Sequence, residues 1–371
     1  MKRQKRKLRV GLIFGGKSAE HEVSIHSAKN IYDALDKKKY EVTLIGIDKQ
    51  GRWRFGNRNF LARAKDKLLP EIASGSAHDT IAATPQSGGG ALVYLERKNA
   101  APVAIDVAFP VLHGTFGEDG TVQGLLKLAG IPFVGAGVLG SAVGMDKDAM
   151  KRLLRDAGIP IAKFITVRDV EASRLDFKKV VREIGLPLFI KPANLGSSVG
   201  IHKVKRAKEF LPAVRDAFRY DRKILMEECV TGRELECSVL GNDNPVASVP
   251  GEVIPKHEFY SYEAKYLDPE GARLEMPARL PPRVAKKIRE LAVRTFRTLY
   301  LEGMARVDFF LRKNGDVLVN EVNTIPGFTN ISMYPKMWEA SGVSQAKLVD
   351  KLIALALERF KKERRLKTSF G

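Results

Sequence analysis

The chain has 371 residues, of which 44% are hydrophobic, which is enough for about two or three domains with buried cores. No apolar run approaches the roughly 20 residues of a membrane span, and the basic start lacks the cleavage site of a signal peptide. The formal net charge is +20, but much of the excess lies in the two tails without a nucleic-acid-binding motif between them, so we expect solvated ends and no nucleic-acid partner.

The first third of the chain alternates strand and helix patterns, which predicts a parallel α/β sheet. We assign it to an N-terminal domain over 1–135. Residues 50–100 contain SGS and SGGG and are predicted to be an irregular insertion with a mobile part. The predicted elements, in chain order, are strands over 8–14, 40–48, 103–114 and 131–135, and helices over 18–35 and 121–130.

A second unit begins with one long helix over 140–160, which Gly158 and Pro160 end. We assign 136–230 to a central domain and 231–371 to a C-terminal domain. The remaining predicted elements are helices over 178–185, 281–300 and 345–362, and strands over 186–193, 224–230, 236–240, 304–311 and 316–323.

Residues 11–18, GLIFGGKS, satisfy the P-loop pattern G-x-x-x-x-G-K-[ST]. In a P-loop the four variable residues form the phosphate cradle, whereas here 12–14 continue an apolar strand and the loop starts only at Gly15. We therefore expect no phosphate at this turn, and we interpret Ser18 as a helix cap. Glu20, in the first helical turn, either complements the helix dipole or points into a cleft and holds a cationic amine.

A better candidate for phosphate is KPANLGSSVGIHKV, at 191–204, which leaves a predicted strand. Glycines let backbone N–H groups approach phosphate oxygens, and hydroxyls add donors. Lys191 and Lys147 can supply positive charge. Taken alone, the stretch is equally consistent with an ordinary polar turn.

Three side chains with carboxylate or amide oxygens lie on the last two predicted strands. Asp308 lies on one strand, and Glu321 and Asn323 share a face of the next, because side chains alternate. The KNG at 313–315 predicts a hairpin that brings the two strands together. Such side chains on a buried face suit Mg²⁺; a salt-bridge cluster with Arg306 is the alternative.

Seven motifs, taken in order, resemble those of the D-alanine–D-alanine ligases of the ATP-grasp superfamily: GGKSAEHEVS, LHGTFGEDGTVQG, GMDKDAMK, KPANLGSSVG, YSYEAKY, RVDFF and NEVNTIPGFT. The similarity extends from about residue 8 to about residue 360. It implies three α/β domains, with ATP gripped between two antiparallel sheets. It also implies that ATP phosphorylates one D-alanine and that the amine of a second attacks the acyl phosphate, which gives D-alanyl-D-alanine for peptidoglycan.

The resemblance assigns roles residue by residue. For the nucleotide it implies phosphate contacts at Lys147, Lys191, Ser198 and Lys265, adenine contacts at Glu227, Glu228 and Val230, and a ribose contact at Glu234. For two Mg²⁺ ions, which Mn²⁺ can replace, it implies the ligands Asp308, Glu321 and Asn323.

For catalysis the resemblance implies oxyanion stabilisation by Arg306 and the N–H of Gly327, and a hydrogen-bonded triad of Glu20, Ser197 and Tyr266 that ties a loop over the site. For the substrates it implies that Glu20 binds the ammonium of the first D-alanine beside His113, and that Ser332 and Met333 face the second.

Some alternatives stay open. FYSYEAKY, at 259–266, favours an amine nucleophile over D-lactate, while a D-alanine–D-serine ligase or another ATP-grasp carboxylate–amine ligase is not excluded. Cys229 stands where relatives often carry an aromatic adenine contact. The chain has two cysteines, Cys229 and Cys237, and they lack the spacing of a metal site. This cysteine content fits a protein of the reduced cytoplasm. The resemblance also implies a homodimer without membrane insertion.

Overall fold

The computed structural model describes residues 6–56, 61, 80–84, 90–95, 100–197, 199–255 and 272–367. Three predicted site residues, Ser198, Lys265 and Tyr266, lie outside these ranges.

The described chain contains both strands and helices, with runs of consecutive strands between Tyr40 and Val111 and between Lys223 and Glu275. The strands are β1 (Leu8–Gly15), β2 (Tyr40–Ile47), β3 (Trp53–Gly56), β4 (Ile81–Thr84), β5 (Ala91–Tyr94), β6 (Val103–Ala104), β7 (Val107–Val111), β8 (Phe164–Arg168), β9 (Leu188–Pro192), β10 (His202–Val204), β11 (Lys223–Glu228), β12 (Arg233–Gly241), β13 (Val246–Ala247), β14 (Gly251–Pro255), β15 (Ala272–Glu275), β16 (Gly303–Leu311) and β17 (Val317–Asn323). The α-helices are α1 (His21–Ala34), α2 (Thr121–Leu128), α3 (Val138–Met145), α4 (Lys147–Asp156), α5 (Phe177–Ile184), α6 (Ala207–Ala217), α7 (Pro282–Thr298), α8 (Met333–Ala340) and α9 (Gln345–Glu363).

The N-terminal sheet has the strand order β3-β2-β1-β7, with β1 parallel to both β2 and β7. Its central strands are apolar on both faces, because helices cover the sheet. Leu12 and Phe14 of β1 pack with Ile25 and Ile31 of α1 in one core, whereas Ile13 points to a second core. The predicted parallel α/β organisation is therefore confirmed.

Two antiparallel sheets follow. The first has the order β10-β9-β11-β8, and its core includes apolar residues of α5 and α6. The second has the order β15-β14-β12-β16-β17, with β13 paired to β12, and it packs against α4 and α7. The predicted hairpin joins β16 to β17 and places Asp308 opposite Glu321 and Arg306 opposite Asn323.

Four predictions of local secondary structure are wrong. The strand predicted over 103–114 is two shorter strands, β6 and β7, which belong to different sheets. The helix predicted over 140–160 is two helices, because Asp146 has an extended backbone and its side chain caps α4 by accepting from the N–H groups of Asp148 and Ala149. The strand predicted over 131–135 is reduced to a single bridge between Phe133 and Ala108. The region predicted to be irregular contains β3, β4 and β5, and the last two form a small sheet with β6.

Within the described ranges, no helix combines the length and the apolar character that crossing a membrane requires. The domain boundaries at 135 and 230 stay a prediction.

Candidate active site

The turn after β1 uses its backbone amides within the protein. The N–H of Gly15 donates to Ser24 Oγ at 2.8 Å, and the N–H of Gly16 donates to the Ile47 carbonyl at 2.8 Å. Because β1 extends through Gly15 and these donors are occupied, the geometry favours the expectation that this turn is no phosphate cradle, which stays a prediction. Ser18 was expected to cap α1, and this prediction is wrong: its hydroxyl accepts from the N–H of Glu20 at 3.0 Å and donates to the His113 carbonyl at 2.7 Å, which fixes the turn before the helix.

Glu20 reaches from the start of α1 to the turn that follows β9. Ser197 Oγ donates a hydrogen bond to Glu20 Oε1, although the two residues are 177 positions apart. Two glycines make room for this carboxylate: a Cβ at Gly114 would lie 3.0 Å from Glu20 Oε2, and one at Gly196 would lie 3.4 Å from it. The structure thus brings together the two described members of the predicted triad.

His113 lies buried at the end of β7, beside the loop that follows β17. Its Nδ1 is 3.0 Å from the Ile325 carbonyl, which can only accept, so Nδ1 carries the proton and Nε2 accepts from Ser27 Oγ at 3.3 Å. Burial lowers the pKa of His113, against the opposing effect of Glu20. His113 is therefore a neutral imidazole held in one orientation.

Glu118 is a buried carboxyl group that the sequence analysis did not single out. It accepts from the N–H of Gly114 at 2.8 Å and from the N–H of Ile325 at 3.0 Å, which joins the loop after β7 to the loop after β17. Burial and the neighbouring charge of Glu20 raise the pKa of Glu118 to about 8. The only hint in the sequence was a carboxylate inside a glycine-rich turn.

Two predicted phosphate lysines belong to elements next to the turn at 194–197: Lys191 to the strand that precedes it, and Lys147 to a helix that contacts it. Lys147, the first residue of α4, donates to the Leu195 carbonyl at 2.6 Å, and its Nζ is 3.8 Å from Glu321 Oε2. Lys191 of β9 donates to Glu227 Oε1 at 2.7 Å. A third lysine, Lys151, was missed; it is fully buried, and its Nζ is 2.9 Å from Glu227 Oε2.

The hairpin of β16 and β17 carries the predicted metal ligands. Arg306 donates from Nε and Nη2 to the two carboxylate oxygens of Asp308, each at 2.7 Å, and its Nε lies 3.0 Å from Glu236 Oε2. Burial acts to lower the pKa of Arg306, but the charges of Asp308 and Glu236 raise it well above its usual value. The salt-bridge cluster that the sequence offered as an alternative is therefore present around Asp308.

The donor set of this hairpin nevertheless fits Mg²⁺. Asp308 faces Glu321 across the strand pair, and Asn323 is the next residue on the same face. Carboxylate and amide oxygens are hard donors, and a carboxylate that accepts from arginine keeps further lone pairs. Among the described residues no three His, Cys, Asp or Glu side chains are grouped as a metal site.

Comparison with known proteins identifies the family of this site. The family model described as the D-ala D-ala ligase N-terminus matches residues 9–136, and the one described as the D-ala D-ala ligase C-terminus matches residues 153–354. The chain belongs to the D-alanine–D-alanine ligase family. These are ATP-dependent ligases with the ATP-grasp fold, so the fold and family predicted from the sequence are confirmed.

The similarity to individual ligases covers almost the whole chain. The D-alanine–D-alanine ligase of Oceanobacillus iheyensis is 51% identical over 364 residues, which is 98% of this chain and 99% of the relative. The solved D-alanine–D-alanine ligase of Coxiella burnetii is 42% identical with a TM-score of 0.83, and the alignment covers 97% of this chain and 96% of that one. A D-alanine–D-serine ligase structure from Enterococcus faecalis is 35% identical with a TM-score of 0.81, covering 95% of this chain and all (100%) of that one.

The other residues that the ligase resemblance singled out are placed as follows. A Cβ at Gly327 would lie 2.8 Å from Ser332 Oγ, and Ser332 accepts from the N–H of Thr329 at 2.9 Å. Met333 is buried with Val253 and Met337.

Within the stretch predicted to contact adenine, the carboxylate of Glu228 accepts hydrogen bonds from two other residues. It accepts from the N–H of Lys163 at 2.8 Å and from Arg312 Nη2 at 2.9 Å. Val230 and Glu234 are half-buried at the ends of β11 and β12.

Proposed function

We propose that the protein joins two D-alanine molecules into D-alanyl-D-alanine for peptidoglycan precursor synthesis. A carboxylate oxygen of the first D-alanine attacks the γ-phosphorus of ATP, which releases ADP and gives D-alanyl phosphate. The amine of the second D-alanine then attacks the acyl carbon. The tetrahedral intermediate expels inorganic phosphate, and the amine loses a proton. The family supports this chemistry, and one feature carries the assignment to this site: the turn at 194–197 is hydrogen-bonded both to Glu20 and to Lys147.

The first substrate is proposed to bind between Glu20 and His113. Glu20 is a carboxylate lined by glycines and suits the ammonium of an amino acid. His113 is neutral beside Glu20, because burial lowers the pKa of its imidazole. Ser197 orients Glu20, and Tyr266 is proposed as the third member of this triad.

The nucleotide is proposed to lie along β9 and β11, with its phosphates toward Lys147 and Lys191. Both lysines are largely buried, so their charges act at low dielectric and attract phosphate strongly. Ser198 and Lys265 are proposed as further phosphate contacts. Adenine would meet the stretch that contains Glu227, Glu228 and Val230, where Cys229 replaces an aromatic residue, and the ribose would meet Glu234.

Asp308, Glu321 and Asn323 are proposed to hold two Mg²⁺ ions, or Mn²⁺ in their place. Bound there, the ions would neutralise phosphate charge during transfer. Arg306 and the N–H of Gly327 are proposed to stabilise the oxyanion of the tetrahedral intermediate. Ser332 and Met333 are proposed to border the second D-alanine.

D-Serine is the competing second substrate, since the chain is 35% identical to a solved D-alanine–D-serine ligase, against 51% to a D-alanine–D-alanine ligase. We further propose a cytoplasmic homodimer that acts on small molecules, without nucleic-acid partners. Within this proposal the chain has three domains, over 1–135, 136–230 and 231–371.

Release of inorganic phosphate tests the function. The purified protein is incubated with ATP, Mg²⁺ and D-alanine, either alone or mixed with D-serine, D-lactate or L-alanine, and the product is identified by mass spectrometry. We expect the highest kcat/KM with D-alanine alone and formation of the dipeptide. A mixed D-alanine–D-serine product formed in preference to the homodipeptide would show that the protein is a D-alanine–D-serine ligase. Absence of phosphate release with every substrate would reject both activities.

A further inference from the structure

Lys151 lies beneath the proposed nucleotide site with no exposure to solvent. It is one helical turn from Lys147 on the same face of α4, and Met150 and Leu154 hold that helix in the core. Its Nζ meets Glu227 Oε2 at 2.9 Å and lies 5.9 Å from the centre of the Phe164 ring.

Glu227 is shared by two lysines. Lys151 contacts one carboxylate oxygen, and Lys191 contacts the other at 2.7 Å. Burial would raise the pKa of Glu227, but the charges of Lys151 and then Lys191 hold it below the usual value. Burial lowers the pKa of Lys151, and the charge of Glu227 opposes this. The three side chains thus form a buried cluster of two cationic groups and one anionic group.

This excess charge has a consequence for nucleotide binding. Lys191 is partly accessible from the site, whereas Lys151 is not, with side-chain exposures of 10% and 0%. When Lys191 turns to a phosphate, it leaves Glu227. A buried carboxylate without a counter-charge is costly, so a second lysine that stays in place lowers the cost of releasing the first.

We propose that Lys151 is a positioning residue for ATP: it remains paired with Glu227 and thereby frees Lys191 to contact phosphate. The proposal rests on the function proposed above, because it takes Lys191 as a phosphate contact. It adds a role for a lysine that does not itself touch the nucleotide.

Calorimetric titration with ADP and Mg²⁺ tests the role of Lys151 without any turnover. In Lys151→Met the chain keeps its apolar volume, Glu227 holds Lys191, and we expect ADP to bind at least about tenfold more weakly, as for other close charge pairs. The KM for ATP should rise with it while the KM for D-alanine stays unchanged. Arg152→Met is the matched control, because Arg152 is the next residue on α4 and its own side chain is exposed; its ADP affinity should equal that of the wild type.

The decisive variant is Lys151→Met combined with Glu227→Gln. Because Glu227 also lies in the proposed adenine stretch, the reference is Glu227→Gln alone. Without the carboxylate nothing retains Lys191, so the double variant should bind ADP within about threefold of Glu227→Gln, which is a non-additive result. Because this variant replaces both members of the buried pair, it tests the proposal even where Lys151→Met alone does not fold. Unchanged ADP affinity in folded Lys151→Met, or a double variant that binds ADP about tenfold more weakly than Glu227→Gln alone, would overturn the proposal. A wild-type protein that binds ADP but releases no phosphate with D-alanine would instead contradict the proposed function.

Discussion

Replacing Asp308 by asparagine tests the metal assignment most sharply. Asp308 accepts two charge-assisted hydrogen bonds from Arg306, each at 2.7 Å, and faces Glu321 across the hairpin. Asparagine keeps the size and one acceptor but loses the charge. Hydrogen bonds to charged groups contribute about 1.5–3 kcal/mol each, so we expect a loss of about 2 kcal/mol in the free energy of unfolding, limited because Arg306 keeps Glu236.

A separate effect on catalysis is expected in the folded variant. Removing a negative charge from the proposed ligand pair weakens Mg²⁺ binding, and we expect turnover to fall at least about tenfold, equivalent to about 1.4 kcal/mol in the transition state. ADP formation is measured against Mg²⁺ concentration, where half-saturation should shift upward. Asp316→Asn, in the exposed turn of the same hairpin, is the control. Wild-type turnover and an unchanged Mg²⁺ dependence in the Asp308 variant would refute the assignment.

Three further outcomes are expected. Lys17→Ala should leave ATP affinity within about twofold; a large loss would restore the P-loop hypothesis. Ser197→Ala removes the hydrogen bond to Glu20, so the KM for D-alanine should rise about tenfold, and unchanged kinetics would contradict the triad. Glu118 has its pKa raised from 4.5 to about 8, so the stability from its bound proton is complete below pH 4.5 and is lost as pH rises through 8. Urea unfolding should therefore show stability falling over this range more steeply for the wild type than for Glu118→Gln; parallel curves would contradict this.

Those parts of the fold whose signals are local were predictable from the sequence. The apolar run before Gly15 predicted β1, and the KNG turn predicted the hairpin of β16 and β17, whereas the bulge between Asp308 and Phe309 that sets Asp308 opposite Glu321 had no signal in the sequence. The break at Asp146 also had a local signal, a capping aspartate, but the strong helical pattern on both sides obscured it.

Other features depend on tertiary packing and leave little trace in the sequence. Lys151 has the spacing of an ordinary helical lysine, and its burial exists only because α4 packs near Glu227 of β11. Glu118 is similar, since its acceptor role depends on Ile325, more than 200 residues away. Phe133 has an apolar neighbourhood typical of a strand, yet it forms only one bridge, to Ala108.

A crystal structure with Mg²⁺ and a non-hydrolysable ATP analogue tests the central claim most directly. The account predicts the triphosphate between Lys147 and Lys191 on one side and Asp308 and Glu321 on the other, beside the turn at 194–197. Triphosphate bound beside Gly16, or a metal bound away from the β16–β17 hairpin, would contradict it.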